Sequence, residues 1–383
     1  MSWGGTTLVQ EPSEGKALPI CTSFEEKIGL ISAGEGVINL RKKGGEQMQD
    51  LKENIHEKSS DVHLKHVFLW PFSSCNCRCV MCDIWTDRSH RKIPLETVAA
   101  LAQELHDAGV YGVLLTGGEA MMHSDIWQIC EILASHSLQI GLLSSGIMLK
   151  RYAPQITRYC CELVVSLDGP PVVHDAIRRV RNAHLRVIEG IQAIRQLRPD
   201  FPIQARCAVH RHNFRHLRET VRFAQDIGFS RISFLAADVT SEAFNRAEPW
   251  LVERQSTIAL APEELPELER EIAALEQELS SEFESKFICE SASLLRQKLL
   301  AYYKAHNAVD VFPPVVCNAP WTSAVVEPNG DVRPCFFHKP YGNIHHAGSL
   351  EAVLSAEKAV QFRRNLDVQS NPVCRRCVCT FQL

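Results

Sequence analysis

The sequence lacks the features that mark a membrane-spanning, secreted or nucleic-acid-binding chain. Nowhere do 18 apolar residues run together, so no stretch predicts a helix across a bilayer. The opening MSWGGTTLVQEPSEGKALP has neither the positive start nor the apolar centre of a signal peptide. A net charge of −4 and a pI near 6.5 give no basic footprint for a polyanion, and no run of like charges forms a tail. Internal repeats and low-complexity tracts are missing too. These absences predict a soluble, cytoplasmic protein with no membrane partner and no nucleic-acid partner.

What is present in excess is cysteine: 15 in 383 residues. A cytosolic compartment keeps thiols reduced, so clustered cysteines point to metal or cluster ligation before disulfides. With 45% apolar residues the chain can bury a large core, and its length exceeds that of a usual single domain, so a main domain plus an appendage is expected.

From residue 65 onward, short apolar runs alternate with helix-length amphipathic stretches. HVFLWPF (66–72), GVLLTGG (112–118), QIGLLSSG (139–146), ELVVSLDG (162–169), PIQARCAVH (202–210) and RISFLAAD (231–238) read as six strands of βαβ units. The predicted fold is α/β: a partial (β/α)6 TIM-like barrel with a small C-terminal domain containing a β-hairpin. Four regions follow: an extension over 1–64 with one helix near 45–58, the core over 65–240, connecting helices over 241–306, and the C-terminal domain over 307–383.

In parallel α/β folds the chemistry collects beyond the carboxyl ends of the strands. The first strand here runs into SSCNCRCVMCDIW, where Cys75, Cys79 and Cys82 are spaced C-x3-C-x2-C. Three thiolates can hold a [4Fe-4S] cube and leave one iron open, whereas structural zinc wants four ligands, which Cys77 could complete. The second strand ends in Gly117-Gly118-Glu119, the third in Ser144-Ser145-Gly146, and the fourth in Ser166-Leu167-Asp168-Gly169.

The cysteine loop, the GGE after the next strand and the later Ser-x-Asp-Gly resemble, in order over about 65–240, the radical S-adenosylmethionine superfamily. The resemblance implies that Cys75, Cys79 and Cys82 hold a [4Fe-4S] cluster whose free iron binds S-adenosylmethionine, cleaved reductively to a 5′-deoxyadenosyl radical. It further implies that Gly117, Gly118 and Glu119 bind the methionine amino group, and that Ser166 and Asp168 lie near its ribose and methionine portion. Two positions depart from the family pattern: Met81 stands where an aromatic residue is common, and Ser145-Gly146 where Asn-Gly is common.

A second set comprises Cys317, Cys335, Cys374 and Cys377, arranged as C-x12-G-x4-C around the turn Pro328-Asn329-Gly330-Asp331 and then C-x2-C. Four thiolates admit zinc or a fully ligated [4Fe-4S] cluster. This stretch resembles SPASM auxiliary-cluster domains and, because only Cys379 follows, their shortened twitch form, which implies one auxiliary [4Fe-4S] cluster that transfers electrons.

The expected activity is that of an oxidoreductase: hydrogen abstraction from a small biosynthetic metabolite, with the auxiliary cluster accepting an electron from the substrate. The alternatives are crosslinking or epimerisation of a ribosomal peptide and, from another class, a non-catalytic iron–sulfur carrier or sensor. The partners implied are a small-molecule or peptide substrate and a reducing donor such as flavodoxin or ferredoxin. Arg206, His210 and Asp238 are further candidates for the cavity, Arg178 and Arg179 are candidate partners for a carboxylate, Cys207, Cys289 and Cys379 are candidate hydrogen donors, and HRHNFRH (210–216) is a weaker metal candidate.

Overall fold

The computed structural model describes residues 62–379. The expected helix at 45–58 and nearly all of the N-terminal extension lie outside the described residues.

All six predicted strands form: β1 His66–Leu69, β2 Gly112–Leu115, β3 Gln139–Ser144, β4 Glu162–Ser166, β5 Ile203–Val209 and β6 Arg231–Ala236. They pair in parallel and in chain order. The crossovers carry α1 Leu95–Asp107, α2 Ile126–Ser135, α3 Leu149–Tyr159, α4 Pro171–Arg178, α5 Ala183–Leu197 and α6 Leu217–Asp226.

Parallel strands covered on both faces need apolar residues at successive positions, and these have them. Val67, Leu69, Val113, Leu115, Leu163 and Val165 are fully buried in one core with Val98, Leu101 and Leu105 of α1 and Ile129 and Leu133 of α2. The intervening positions point the other way: Phe68, Leu114, Leu143, Ser166, Arg206 and Leu235 line a cavity. The period of two thus divides each strand between a packing face and a working face.

The C-terminal hairpin also forms, but not as a sheet of its own. β7 Ser323–Val326 pairs in parallel with β1, with Leu69 opposite Val326. β8 Asp331–Arg333 and β9 Gly342–Asn343 then continue antiparallel, giving one nine-stranded sheet in the order β6-β5-β4-β3-β2-β1-β7-β8-β9. Gly330 closes the β7–β8 turn at φ +85°, and its N–H donates to the Glu327 carbonyl at 2.9 Å.

The segment expected to be connecting helices contains α7 Leu265–Glu278, whose Leu265, Leu268, Ile272 and Leu275 are buried. Its acidic side meets α6 and the turn before it, where Arg215 pairs with Glu267 at 2.6 Å and Arg218 with Glu271 at 2.9 Å. Among the described residues no helix is long and apolar enough to cross a membrane.

Candidate functional site

A cavity of about 410 Å³ opens on the working face of the sheet, lined by Cys75, Cys79 and Cys82 of the first set and by Cys317, Cys335, Cys374 and Cys377 of the second. Both sets reach it because β1 and β7 are neighbours. The loop after β1 carries the first set, and the chain just before β7 and just after β8 carries Cys317 and Cys335.

Each thiol of the first set has its own N–H donor. The Cys77 N–H donates to Cys75 Sγ at 3.4 Å, Arg178 Nη1 to Cys79 Sγ at 3.4 Å, and the Ile84 N–H to Cys82 Sγ at 3.5 Å. Cys77 itself is 1% exposed and is not among the residues lining the cavity. Its contact with Cys75, reinforced by burial, pushes the Cys77 thiol up to about 12, and burial pushes Cys82 to about 12.

The loop is clamped from several directions. Residues at the end of α4 have carbonyls without helical partners, and two of them are satisfied by the loop: Arg78 N–H donates to Arg178 O and Val80 N–H to Ile177 O, both at 3.1 Å. From the segment after β6, Arg246 Nη2 donates to Met81 O at 3.2 Å and Arg254 Nη2 to Val80 O at 3.1 Å. Trp250 Nε1 bonds Asp83 Oδ2 at 2.5 Å and lies under both guanidinium groups. Sequence reading missed Arg246 and Arg254, since two arginines in a polar linker carry no periodic signal.

The strand-end glycines fit tightly into the same assembly. A Cβ on Gly117 would sit 1.7 Å from Trp70 Cδ1, and one on Gly118 would sit 2.1 Å from the Ser74 carbonyl oxygen. Gly117 also holds φ at +109°. Both line the cavity, as do Ser144, Ser145 and Ser166, but Glu119 does not. Its fully buried carboxylate accepts from the Ser145 N–H at 2.8 Å, Ser145 Oγ at 2.6 Å and Ser144 Oγ at 3.0 Å. Burial raises the Glu119 pKa and these donors pull it back. Ser145 Oγ also reaches Asn76 Oδ1 at 2.9 Å, which joins the third strand end to the cysteine loop.

Asp168 is likewise fully buried and is not among the lining residues. Its Oδ2 pairs with Arg178 Nη2 at 2.5 Å, and its Oδ1 accepts the Ala208 N–H at 3.2 Å. Burial works against the Arg178 charge, but Asp168 and Cys79 outweigh it and hold the guanidinium protonated. The result is a relay of contacts, Asp168 to Arg178 to Cys79, that ends on a cavity thiol.

The second set comes from more distant places: Cys317 before β7, Cys335 after β8, and Cys374 and Cys377 in and just beyond a short helix, Pro372–Arg375. Burial, followed among raising causes by the neighbouring Cys317 thiol, pushes Cys335 and Cys374 up to about 12. Cys377 Sγ accepts the Cys379 N–H at 3.3 Å, and Cys374 Sγ lies 3.3 Å from His338 Nε2. Cys379 lines the cavity as well.

The other candidates separate. Arg206, Asp238 and Arg178 line the cavity, although Asp238 is engaged by Arg246 at 2.6 Å. His210 is buried and accepts the His212 N–H at 3.2 Å, His212 is exposed, and His216 meets Glu219 at 2.9 Å. Cys207 and Cys289 are buried and are not among the lining residues.

Among the described residues no three His, Cys, Asp or Glu side chains converge closely enough for a single metal ion. Thiolates around a cluster of several irons stand farther apart than ligands of one ion. The donor chemistry suits such clusters, since N–H groups aimed at sulfur stabilise a thiolate and tune an iron–sulfur centre.

Comparison with known proteins agrees with this geometry. Residues 71–230 match the model of the radical SAM superfamily, and residues 317–378 match the model of SPASM, an iron–sulfur cluster-binding domain. The antilisterial bacteriocin subtilosin biosynthesis protein AlbA of Bacillus subtilis is 23% identical over 292 residues, covering 74% of this chain and 57% of that protein. The PqqA peptide cyclase of Bradyrhizobium diazoefficiens is 24% identical over 163 residues, or 41% of this chain and 42% of the cyclase. An AdoMet-dependent heme synthase of Methanosarcina barkeri is 28% identical over 165 residues, or 41% of this chain and 46% of the synthase. The chain thus spans about half the length of the curated relatives it matches. Streptococcus suis SuiB, solved with its precursor peptide SuiA, shares the fold at a TM-score of 0.59 and 14% identity, covering 91% of this chain and 77% of SuiB.

Proposed function

We propose that this chain, a member of the radical S-adenosylmethionine superfamily with a SPASM iron–sulfur domain, oxidises a peptide side chain held between its two cysteine sets. The observation that carries the reading is the single cavity lined by both sets. One wall can initiate a radical and the other can take away an electron. The two domains imply [4Fe-4S] clusters and S-adenosylmethionine, which together supply one-electron cleavage to methionine and a 5′-deoxyadenosyl radical.

In this reading Cys75, Cys79 and Cys82 hold the first cluster, and Cys77 stays behind the loop. Gly117 and Gly118 present backbone to the methionine amino group, with Ser166 toward the ribose. Glu119 and Asp168 act as positioning residues, the first by fixing Ser144 and Ser145 and the second by fixing Arg178 against Cys79. Cys317, Cys335, Cys374 and Cys377 hold the second cluster. Phe68, Leu114, Leu143 and Phe336 form apolar walls that keep water from a substrate radical, and Arg206 orients a polar substrate group. A cluster held by the second set would supply a one-electron acceptor, so that loss of a hydrogen atom, one electron and one proton would oxidise the substrate by two electrons. A low-potential donor such as flavodoxin or ferredoxin primes each cycle.

The sequence expectation placed a small metabolite first. The PqqA peptide of the cyclase and the precursor peptide bound to SuiB favour a peptide here. The tetrapyrrole chemistry of the heme synthase is the second reading, favoured by Arg206 beside Phe68, Leu114, Leu143 and Leu235 in the lining, although that lining also carries Asp238, Glu242 and Glu327, and Arg178 and Arg333 are paired with Asp168 and Glu327. The test is an anaerobic incubation of cluster-loaded protein with dithionite, S-adenosylmethionine and, separately, a panel of short unmodified precursor peptides, small alcohols and a carboxylated tetrapyrrole, with Cys79→Ala as control. A peptide two hydrogens lighter, formed together with 5′-deoxyadenosine, supports the proposal. Stimulation of 5′-deoxyadenosine by a small molecule or tetrapyrrole alone overturns it.

A further inference from the structure

The cysteine loop has a second side. Cys79, Met81, Cys82 and Arg178 line the main cavity, while their chain neighbours Val80, Ile177 and Arg179 line a separate hollow together with Val172, His212 and Arg254. The two cavities thus meet along one short stretch of chain: Val80 lies directly after Cys79 and two before Cys82.

The hollow has the makeup of a docking surface. Val172, on its lining, is 83% exposed, and Leu251 and Val252, at the start of the turn that carries Arg254, are 77% and 74% exposed. Exposed large apolar side chains mark interaction sites, and of these Val172 stands on the lining of the hollow itself, beside Val80, Val173 and Ile258. Around them the charge is positive: Arg179 and Arg254 line the hollow, and Arg78 and Arg181 are exposed on adjoining chain. No carboxylate is among the lining residues. Of the nearest acids in the chain, Asp175 is turned to the N–H groups of Asn182 and His184 and to the His184 ring, and Glu253 is exposed beside Arg254.

We propose that this hollow is where a small acidic one-electron carrier protein docks to reduce the cluster of the first cysteine set. An apolar centre with a cationic rim complements an acidic partner and steers its approach, and an electron entering at Val80 is one residue from a ligand thiolate. With a flavodoxin, the anionic flavin hydroquinone becomes the neutral semiquinone and the cluster gains that electron. The proposal rests on the assignment of Cys75, Cys79 and Cys82 to a cluster, but on neither the substrate nor the second set.

The test is stopped-flow reduction of cluster-loaded protein, followed by bleaching of the cluster absorbance, with no substrate present. Two reductants are compared, flavodoxin hydroquinone and photoreduced 5-deazariboflavin, which is small and uncharged. For Arg179→Glu and, independently, Val172→Asp, the flavodoxin rate constant is expected to fall by about tenfold or more at low salt. The deazariboflavin rate is expected to stay unchanged, and the wild-type flavodoxin rate to fall as salt rises. Equal flavodoxin rates in wild type and both variants, a salt-independent rate, or parallel slowing with both reductants would overturn the docking site. Failure of the wild type to bind a reducible cluster at all would instead count against the proposed function.

Discussion

The two cysteine sets share a cavity but are built by opposite means. The first takes three thiols from eight consecutive residues and holds them from outside: carbonyls at the end of α4, two arginines from beyond β6, and tightly fitted glycines after β2 all press on one loop. The second gathers thiols from positions spread over 61 residues and relies on the sheet and a short helix to bring them together. A short loop has little structure of its own, so its geometry must be imposed by neighbours. A dispersed set inherits its geometry from the fold. The first set should therefore be sensitive to residues that never touch a metal, and the second mainly to its own ligands.

Cys79→Ala gives the largest expected effect: 5′-deoxyadenosine formation falls to background, about half the iron is lost, and the remaining cluster belongs to the second set. Measured iron content and the 5′-deoxyadenosine assay decide this, and a variant that keeps full iron would erase the distinction between the sets. Next comes Cys335→Ala, which should also lose about half the iron but keep S-adenosylmethionine cleavage within about tenfold while oxidised substrate disappears. Equal loss of both products would mean that the two regions act as one site.

Arg178→Met tests the outside support directly. It strands the buried Asp168 charge, so a loss of about 3–5 kcal/mol is expected in denaturant melts of the protein, with most of it restored in Arg178→Met/Asp168→Leu. Only the restored double variant reports the contact to Cys79 cleanly, as a changed reduction potential of the first cluster with that of the second unmoved. Smallest of all is Cys77→Ala. Because that thiol lies outside the cavity lining, iron content and rate should stay within about threefold of wild type, and loss of a metal on this change would restore the zinc reading.

Much of this comparison was legible before the structure. The six strands follow from apolar runs at βαβ spacing, and the position of chemistry at strand ends follows from the fold class; SSCNCRCVMCDIW and GGE therefore appeared where the cavity is. The roles of individual residues were less legible. Glu119 and Asp168 sit at the expected strand ends, yet their side chains point into the protein toward Ser145 and Arg178. A sequence position fixes where a residue lies along a strand but not which partner its carboxylate finds. Arg246 and Arg254 were invisible for a related reason: their targets are carbonyls of Met81 and Val80, more than 160 positions away, and backbone acceptors leave no trace in composition.

The pairing of β1 with β7 also escaped the sequence, and it has a consequence for how the chain can be divided. Four backbone registers, His66 with Ser323 through Leu69 with Val326, are shared between the part that carries the first set and the part that carries the second. Removing everything from residue 307 onward would leave HVFL of β1 as a bare edge, apolar and with its hydrogen-bonding groups open, which is a template for aggregation. The C-terminal segment is thus the cover of the central sheet as well as the holder of a second cluster, and the two halves should melt in one cooperative transition.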